Sequence, residues 1–284
     1  MPLLGLDQVT TLVDGLDHPE GVAWGPDGYL YAGGEAGQLY RIDPKNQSSV
    51  EFANTGGVVL GLALDVDANI YACDVGNPAV KRISPDGEVT TFADRAGDWR
   101  LSTPNYPVFD EQGRLYISDS GKWTENNGCV VRFDPDGSGE VFCPELTNFP
   151  NGMALGPDGG ALYVVLSLMP GVVRVTVNAD GSAGEIATVM TLPEGEVPDG
   201  LAFDTRDNLY VSCYRPDRIY RLTPDGQLDI VADDPQGTVV AAPTNICFGG
   251  PDMEQLYIAS LGRWHIGVTS ALSIRGHRLP YPSL

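Results

Sequence analysis

The stretch Val197-Pro198-Asp199-Gly200-Leu201-Ala202-Phe203-Asp204 sets a carboxylate between a proline and a glycine, ahead of a short apolar run. Downstream come two more short runs, Leu209-Tyr210-Val211 and Ile219-Tyr220-Arg221-Leu222, closed by the turn Thr223-Pro224-Asp225-Gly226. The succession recurs along the whole chain. Pro19-Glu20-Gly21-Val22-Ala23-Trp24 and Pro150-Asn151-Gly152-Met153-Ala154-Leu155 repeat its beginning, and its bulky-Tyr pair returns as Leu30-Tyr31, Ile70-Tyr71, Leu115-Tyr116, Leu162-Tyr163 and Leu256-Tyr257. Third runs such as Val130-Val131-Arg132-Phe133 and fourth runs such as Glu88-Val89-Thr90-Thr91-Phe92-Ala93 complete the unit. Six copies of four short strands, spaced roughly 40–48 residues apart, describe a six-bladed β-propeller, an all-β fold.

The sixth copy ends without a convincing fourth strand. The segment Gln8-Val9-Thr10-Thr11-Leu12-Val13-Asp14 closely matches Glu88-Val89-Thr90-Thr91-Phe92-Ala93-Asp94. The N-terminal strand is therefore expected to complete the last blade and close the ring, leaving no open edge there. Residues 1–284 then form a single domain. Asp65-Val66-Asp67-Ala68-Asn69 imitates the start of a calcium loop, but Ile70 stands where that loop needs glycine, so it reads as a hairpin turn.

Composition narrows the function. With 38 acidic against 17 basic residues the net charge is -21, which argues against nucleic acid as a partner. The five cysteines (Cys73, Cys129, Cys143, Cys213, Cys247) are odd in number and show no CxxC spacing, so neither a disulfide framework nor a zinc cluster is expected. Met1-Pro2-Leu3-Leu4-Gly5-Leu6-Asp7 has no basic n-region or continuous apolar h-region, and no run reaches membrane-spanning length. A cytoplasmic protein with no membrane partner is expected. No GxSxG, Walker or HExxH motif occurs.

The repeat register places Glu20, Leu60, Asn105, Asn151, Asp199 and Asn245 at one equivalent position, where the innermost strands begin. Five of the six carry side-chain oxygen, although Asn and Asp are poor strand formers. Carboxylates and amides converging on the channel axis would repel or go unsatisfied unless a hard cation joined them. With all-oxygen donors, calcium is the expected ion, magnesium or manganese the next options, and zinc the least suited.

In these motifs, over essentially its whole length, the chain resembles the SMP-30/gluconolactonase/LRE-like family, with diisopropylfluorophosphatase and the paraoxonases among its relatives. The resemblance rests on Pro19-Glu20-Gly21, Pro150-Asn151-Gly152 and Pro198-Asp199-Gly200. It implies a channel cation held by Glu20, Asn151 and Asp199. It also implies a role for Asn105 toward the metal, its water or the substrate, and puts Asn245 in register. A small-molecule lactone or ester would then be hydrolysed, with Asp199 as general base or nucleophile. His18, two residues before Glu20, is a candidate proton shuttle.

One departure bears on the substrate. Gluconolactonase-like members carry Arg-x-Asn-Asp in blade three, whereas this chain has Thr103-Pro104-Asn105-Tyr106. A polyhydroxylated substrate needs polar partners, yet the expected mouth residues Leu60, Trp99, Tyr106, Trp123, Leu166, Met169, Tyr214 and Trp264 are largely apolar. Leu60, Asn105, Tyr106, Trp123, Tyr214 and Asn245 are the candidate substrate contacts, with the loop Ser118–Gly128 a candidate lid, and the expected substrate is less polar than gluconolactone. Two alternatives stay open on the same scaffold: a non-hydrolytic Lewis-acid enzyme of the isomerase or dehydratase type, and a non-catalytic binding propeller with a structural cation.

Overall fold

Short β-branched and aromatic runs cut by Asp/Gly turns build strands that pair with their sequence neighbours, and the computed structural model describes all of them, from Met1 to Leu284. Six four-stranded antiparallel sheets result. Their innermost strands are Val22–Trp24, Val59–Leu64, Pro104–Phe109, Pro150–Leu155, Val197–Phe203 and Pro243–Gly249, in blades one to six. No α-helix is present; the only helical turns are two short 3₁₀ segments, Leu6–Gln8 and Leu261–Arg263. A small hairpin pairs Arg95–Ala96 with Trp99–Arg100 between blades two and three.

Ring closure follows the sequence expectation. Thr10–Val13 pairs antiparallel with His265–Thr269 and supplies the fourth strand of blade six. Leu12, Val13 and Leu16 are buried with Trp24 of blade one and Tyr257 of blade six.

The recurring bulky-Tyr pair has a packing reason. Tyr116, Tyr210 and Tyr257 are completely buried, and burying a phenol requires a partner for its hydroxyl. The turn aspartate supplies it in three copies, Tyr210 donating to Asp204 Oδ2 at 3.1 Å, Tyr116 to Asp110 Oδ2 at 3.3 Å and Tyr31 to Asp27 Oδ2 at 2.6 Å, while Tyr257 donates to Gln255 Oε1. The rings then meet the next blade edge-on, Tyr71 against Phe109, Tyr163 against Phe203 and Tyr210 against Phe248. The hydrophobic core is accordingly six clusters, one in each gap between adjacent blades. Asp65 accepts the backbone N–H groups of Asp67 and Asn69, the hairpin turn read from the sequence.

After blade six the chain crosses the far end of the channel. Thr205 N–H donates to the Arg275 carbonyl, His277 N–H to the Phe203 carbonyl, and Val66 N–H to the Pro282 carbonyl. The Tyr281 hydroxyl donates to the Trp24 carbonyl at 2.6 Å.

Because the N-terminal strand carries part of the core between blades six and one, Leu12→Ala is expected to lower unfolding free energy by about 2–4 kcal/mol. Urea unfolding measures this. An unchanged midpoint would mean that the strand is a loose arm.

Candidate metal centre

Each innermost strand of blades two to six is irregular where the register residue sits. Pairing skips Leu60 and Gly61, Asn105, Asn151 and Gly152, Asp199 and Gly200, and Thr244, each time leaving one extra residue. A bulge breaks the ladder and re-aims a side chain. Thus four of the six register residues sit in bulges, Asn245 is the residue just past one, and Glu20 lies ahead of its strand. The glycines that follow the register residues permit the strands to crowd here. A Cβ on Gly21 would stand 2.3 Å from the Leu60 carbonyl oxygen, one on Gly152 2.2 Å from that of Asp199, and one on Gly200 2.5 Å from Asn245 Oδ1. Neighbouring register residues therefore adjoin across blade boundaries.

Hydroxyl groups stitch this layer together. Ser120 Oγ donates to the Pro150 carbonyl, Ser167 Oγ to that of Pro198, Ser212 Oγ to that of Thr244, and Thr244 Oγ1 to that of Glu20, all at 2.7–2.8 Å. Each bond crosses from one blade to the next. Ser212 Oγ also accepts the Gly200 N–H, which the bulge has freed. Ser167 Oγ accepts from Asn151 Nδ2 at 3.2 Å, which fixes the Asn151 amide with its oxygen turned away. That oxygen, Asn151 Oδ1, is buried without any partner, and so is Asn245 Oδ1. An orphaned buried acceptor is costly, and two in one layer describe a site that wants a positive ligand.

The carboxyls point the same way. Buried Asp119 accepts from Trp99 Nε1, Ser102 N–H and Thr103 N–H. In Asp234 burial pushes the carboxyl up, but the N–H groups of Val239, Val240 and Thr238 outweigh it and hold it low. Asp199 and Glu20 have no such donors. Burial, followed by the charge of Glu35, pushes Glu20 up to about 7. Burial and then the Glu20 charge raise Asp199 well above the usual carboxylate range. Two mutually repelling carboxyls and two orphaned amide oxygens, with no cationic side chain holding them, fit a hard divalent cation.

The other sequence-derived candidates divide. Leu60 is partly exposed, and Asn105 and Asn245 are buried in the layer. Tyr106 lies just beneath, buried, with its N–H on Ser118 Oγ. Trp123 is exposed and meets Phe149 edge-on at 4.7 Å, on the loop read as a lid. Tyr214 is partly exposed under the Arg215 guanidinium. Met169 and Trp264 are exposed, Leu166 is buried in an inter-blade core, and Trp99 is tied to Asp119. His18 Nδ1 lies 2.8 Å from Asp17 and 2.9 Å from Glu35, its ring 4.6 Å from Trp264. Sequence reading missed Ser167, Ser212 and Thr244. Ser167 follows the second strand of blade four, as Ser120 does that of blade three, but Ser212 lies within the second strand of blade five and Thr244 on the innermost strand of blade six, so no single repeat position signalled them.

Fold and site together define a six-bladed propeller with an oxygen-lined channel. The family model described as "SMP-30/Gluconolactonase/LRE-like region" matches residues 35–262, and the chain belongs to that family. A second model, strictosidine synthase-like N-terminal, matches residues 5–42. Among relatives, a gluconolactonase of Zymomonas mobilis is 27% identical over 66% of this chain, and the match spans 57% of that protein's length. A 6-deoxy-6-sulfogluconolactonase of Pseudomonas putida is 27% identical over 79% of this chain and 76% of its own. A regucalcin of Xenopus laevis is 26% identical over 67% and 65%. A solved putative gluconolactonase superposes with TM-score 0.81 at 24% identity, covering 97% of this chain and 96% of its own, and a Staphylococcus aureus virginiamycin B lyase with 0.64 at 21%, covering 87% and 79%. At these identities the superpositions speak for the fold.

Two outcomes follow for cation binding. Removing the hydroxyl that orients Asn151, in Ser167→Ala, should weaken calcium binding about 10–100-fold by calorimetry; unchanged affinity would detach Ser167 from the site. The raised carboxyls hold protons that the unfolded chain has already released. Without a cation, their contribution to stability therefore falls as pH rises from the ordinary 4.5 toward about 7. A cation seated between them must displace those protons, so the proton release expected on adding calcium, read from buffer-dependent enthalpies, should be greater at pH 6 than at pH 8.

Proposed function

We propose that the protein is a metal-dependent hydrolase of lactones or related esters. The observation that carries this reading is the pair of donorless carboxyls, Glu20 and Asp199, in one layer with the orphaned Asn151 and Asn245 oxygens. Glu20, Asn151 and Asp199 would hold the cation, with Asn105 beside them, and calcium suits the donor set best. The printed names of the relatives, gluconolactonase, sulfogluconolactonase and a pentonolactonase of Haloferax volcanii, support lactones as the substrate class; regucalcin supports calcium.

When bound, the cation polarises a carbonyl oxygen and stabilises the charge that develops on it. The chain's own residues do the rest. Asp199 is kept ionised by the positive charge and takes a proton from the attacking water at its carboxylate, or attacks directly. Asn105 and Asn245 present amides at the same layer for the substrate's polar edge, and Leu60, Trp123 and Tyr214 supply apolar surface, whereas Tyr106, read from the sequence as a substrate contact, lies beneath the layer and lines the chamber below it. Thr103 and Tyr106 flank Asn105 where the gluconolactonase pattern has Arg and Asp, which favours a lactone with fewer hydroxyls. Five buried free cysteines fit a reducing, cytoplasmic setting, and no helix is long and apolar enough to cross a membrane.

The non-hydrolytic alternative keeps one support, the lyase name of a neighbour with the same fold. Labelled water separates the two readings, since hydrolysis must incorporate it. Chelator-stripped enzyme should lose activity across a panel of γ- and δ-lactones and regain it with calcium. Asp199→Asn should cost at least about 100-fold in kcat/KM. Full activity in either preparation would end this reading.

A further inference from the structure

Below the oxygen layer the channel holds a chamber of about 390 Å³. None of the six register residues lines it. Its walls come from the later positions of the innermost strands, with Tyr106, Met153, Leu201 and Ile246 nearest the layer and Phe203 and Phe248 nearest the far mouth. Of its 28 lining residues 19 are hydrophobic, and the charge-bearing ones, Glu111, His277 and Arg278, belong to the turn and tail that rim the mouth. A mainly apolar cavity of this kind takes apolar ligands that carry few polar groups.

Two further observations shape the occupant and its route. The Tyr106 hydroxyl finds no hydrogen-bond partner in the protein, unlike those of Tyr31, Tyr210 and Tyr281. Its backbone N–H is taken by Ser118, so the phenol alone is left to be matched. At the mouth the tail is fastened on both sides, by His277 N–H to Phe203 and by Tyr281 and Pro282 to Trp24 and Val66. Between those fastenings Arg278, Leu279 and Pro280 make no backbone bond to the blades. Leu279 is exposed on its outer side while lining the chamber.

We propose that this chamber is a second binding site, for an uncharged aromatic or alkyl molecule with one hydrogen-bonding group, and that Arg278–Pro280 is its door. At ~30 Å³ per small polar or apolar group the volume holds about a dozen non-hydrogen atoms. A charged ligand is excluded because the walls offer no buried counter-ion. The ligand's polar group meets the Tyr106 hydroxyl and its apolar body meets the aromatic lower wall. The site is separate from the proposed hydrolytic centre and does not depend on it.

Calorimetric titration of the full chain with 1-naphthol, and displacement by naphthalene, tests this. One 1-naphthol should bind per chain, with the same affinity within about twofold in calcium and in chelator. Tyr106→Phe should weaken 1-naphthol about fivefold, the value of one hydrogen bond, while leaving naphthalene unchanged. Ala202→Leu, which fills the chamber, should weaken both at least about tenfold; should it fail to fold, the Tyr106→Phe contrast decides. Deleting 277–284 should speed both association and release. Absence of binding in the wild type and the deletion alike, or binding that Glu20→Gln abolishes, would overturn the proposal.

Discussion

Everything at the oxygen-lined end of this propeller depends on one electrostatic constraint. Two carboxyls, Glu20 and Asp199, are held in a crowded channel where no backbone N–H or basic side chain reaches them. Elsewhere the chain treats buried carboxylates differently. Asp119, Asp204 and Asp234 each collect several donors and serve as structural knots. The fold therefore knows how to satisfy a buried aspartate, and at Asp199 it does not. That contrast, more than burial itself, is the support for the proposed cation site.

The layer's backbone is arranged to sustain this imbalance. Bulges in five innermost strands interrupt pairing, the register glycines let adjacent strands approach, and the hydroxyls of Ser120, Ser167, Ser212 and Thr244 each bind a carbonyl on the next blade, Ser212 also accepting the Gly200 N–H that its bulge frees. The inter-blade aromatic pairs and the N-terminal strand hold the frame rigid around it. Stability is spent in one layer and recovered in six inter-blade cores.

Much of this was legible in the sequence. The bulky-Tyr repeat disclosed six blades because each gap between blades takes one of these rings, and in blades one, three and five an acid in the preceding turn recurs with it as the hydroxyl's partner. Gln8–Asp14 disclosed the ring closure because a strand at that edge must share its partner strands' pattern. The register residues stood out because oxygen-bearing side chains recurred where strand formers belong. Other features stayed hidden. The bulges are backbone events with no residue of their own, and a serine at a strand end looks like any small residue until its carbonyl partner on the next blade is known. Apolar residues near the mouth could not be sorted from sequence either: Trp99 and Leu166 face inward to structural partners, whereas Trp123, Met169 and Trp264 face solvent. Nor did the sequence show that the tail roofs the far end of the channel.

The most direct test of the central constraint compares the thermal unfolding of metal-free wild type with metal-free Glu20→Gln/Asp199→Asn near pH 7.5, then repeats both with calcium. If the two carboxyls are a repelling pair awaiting a cation, the metal-free double variant unfolds at a higher temperature than the metal-free wild type. Calcium then raises the wild-type midpoint and leaves that of the variant unmoved. A double variant less stable than metal-free wild type, or one that calcium still stabilises equally, would contradict the account.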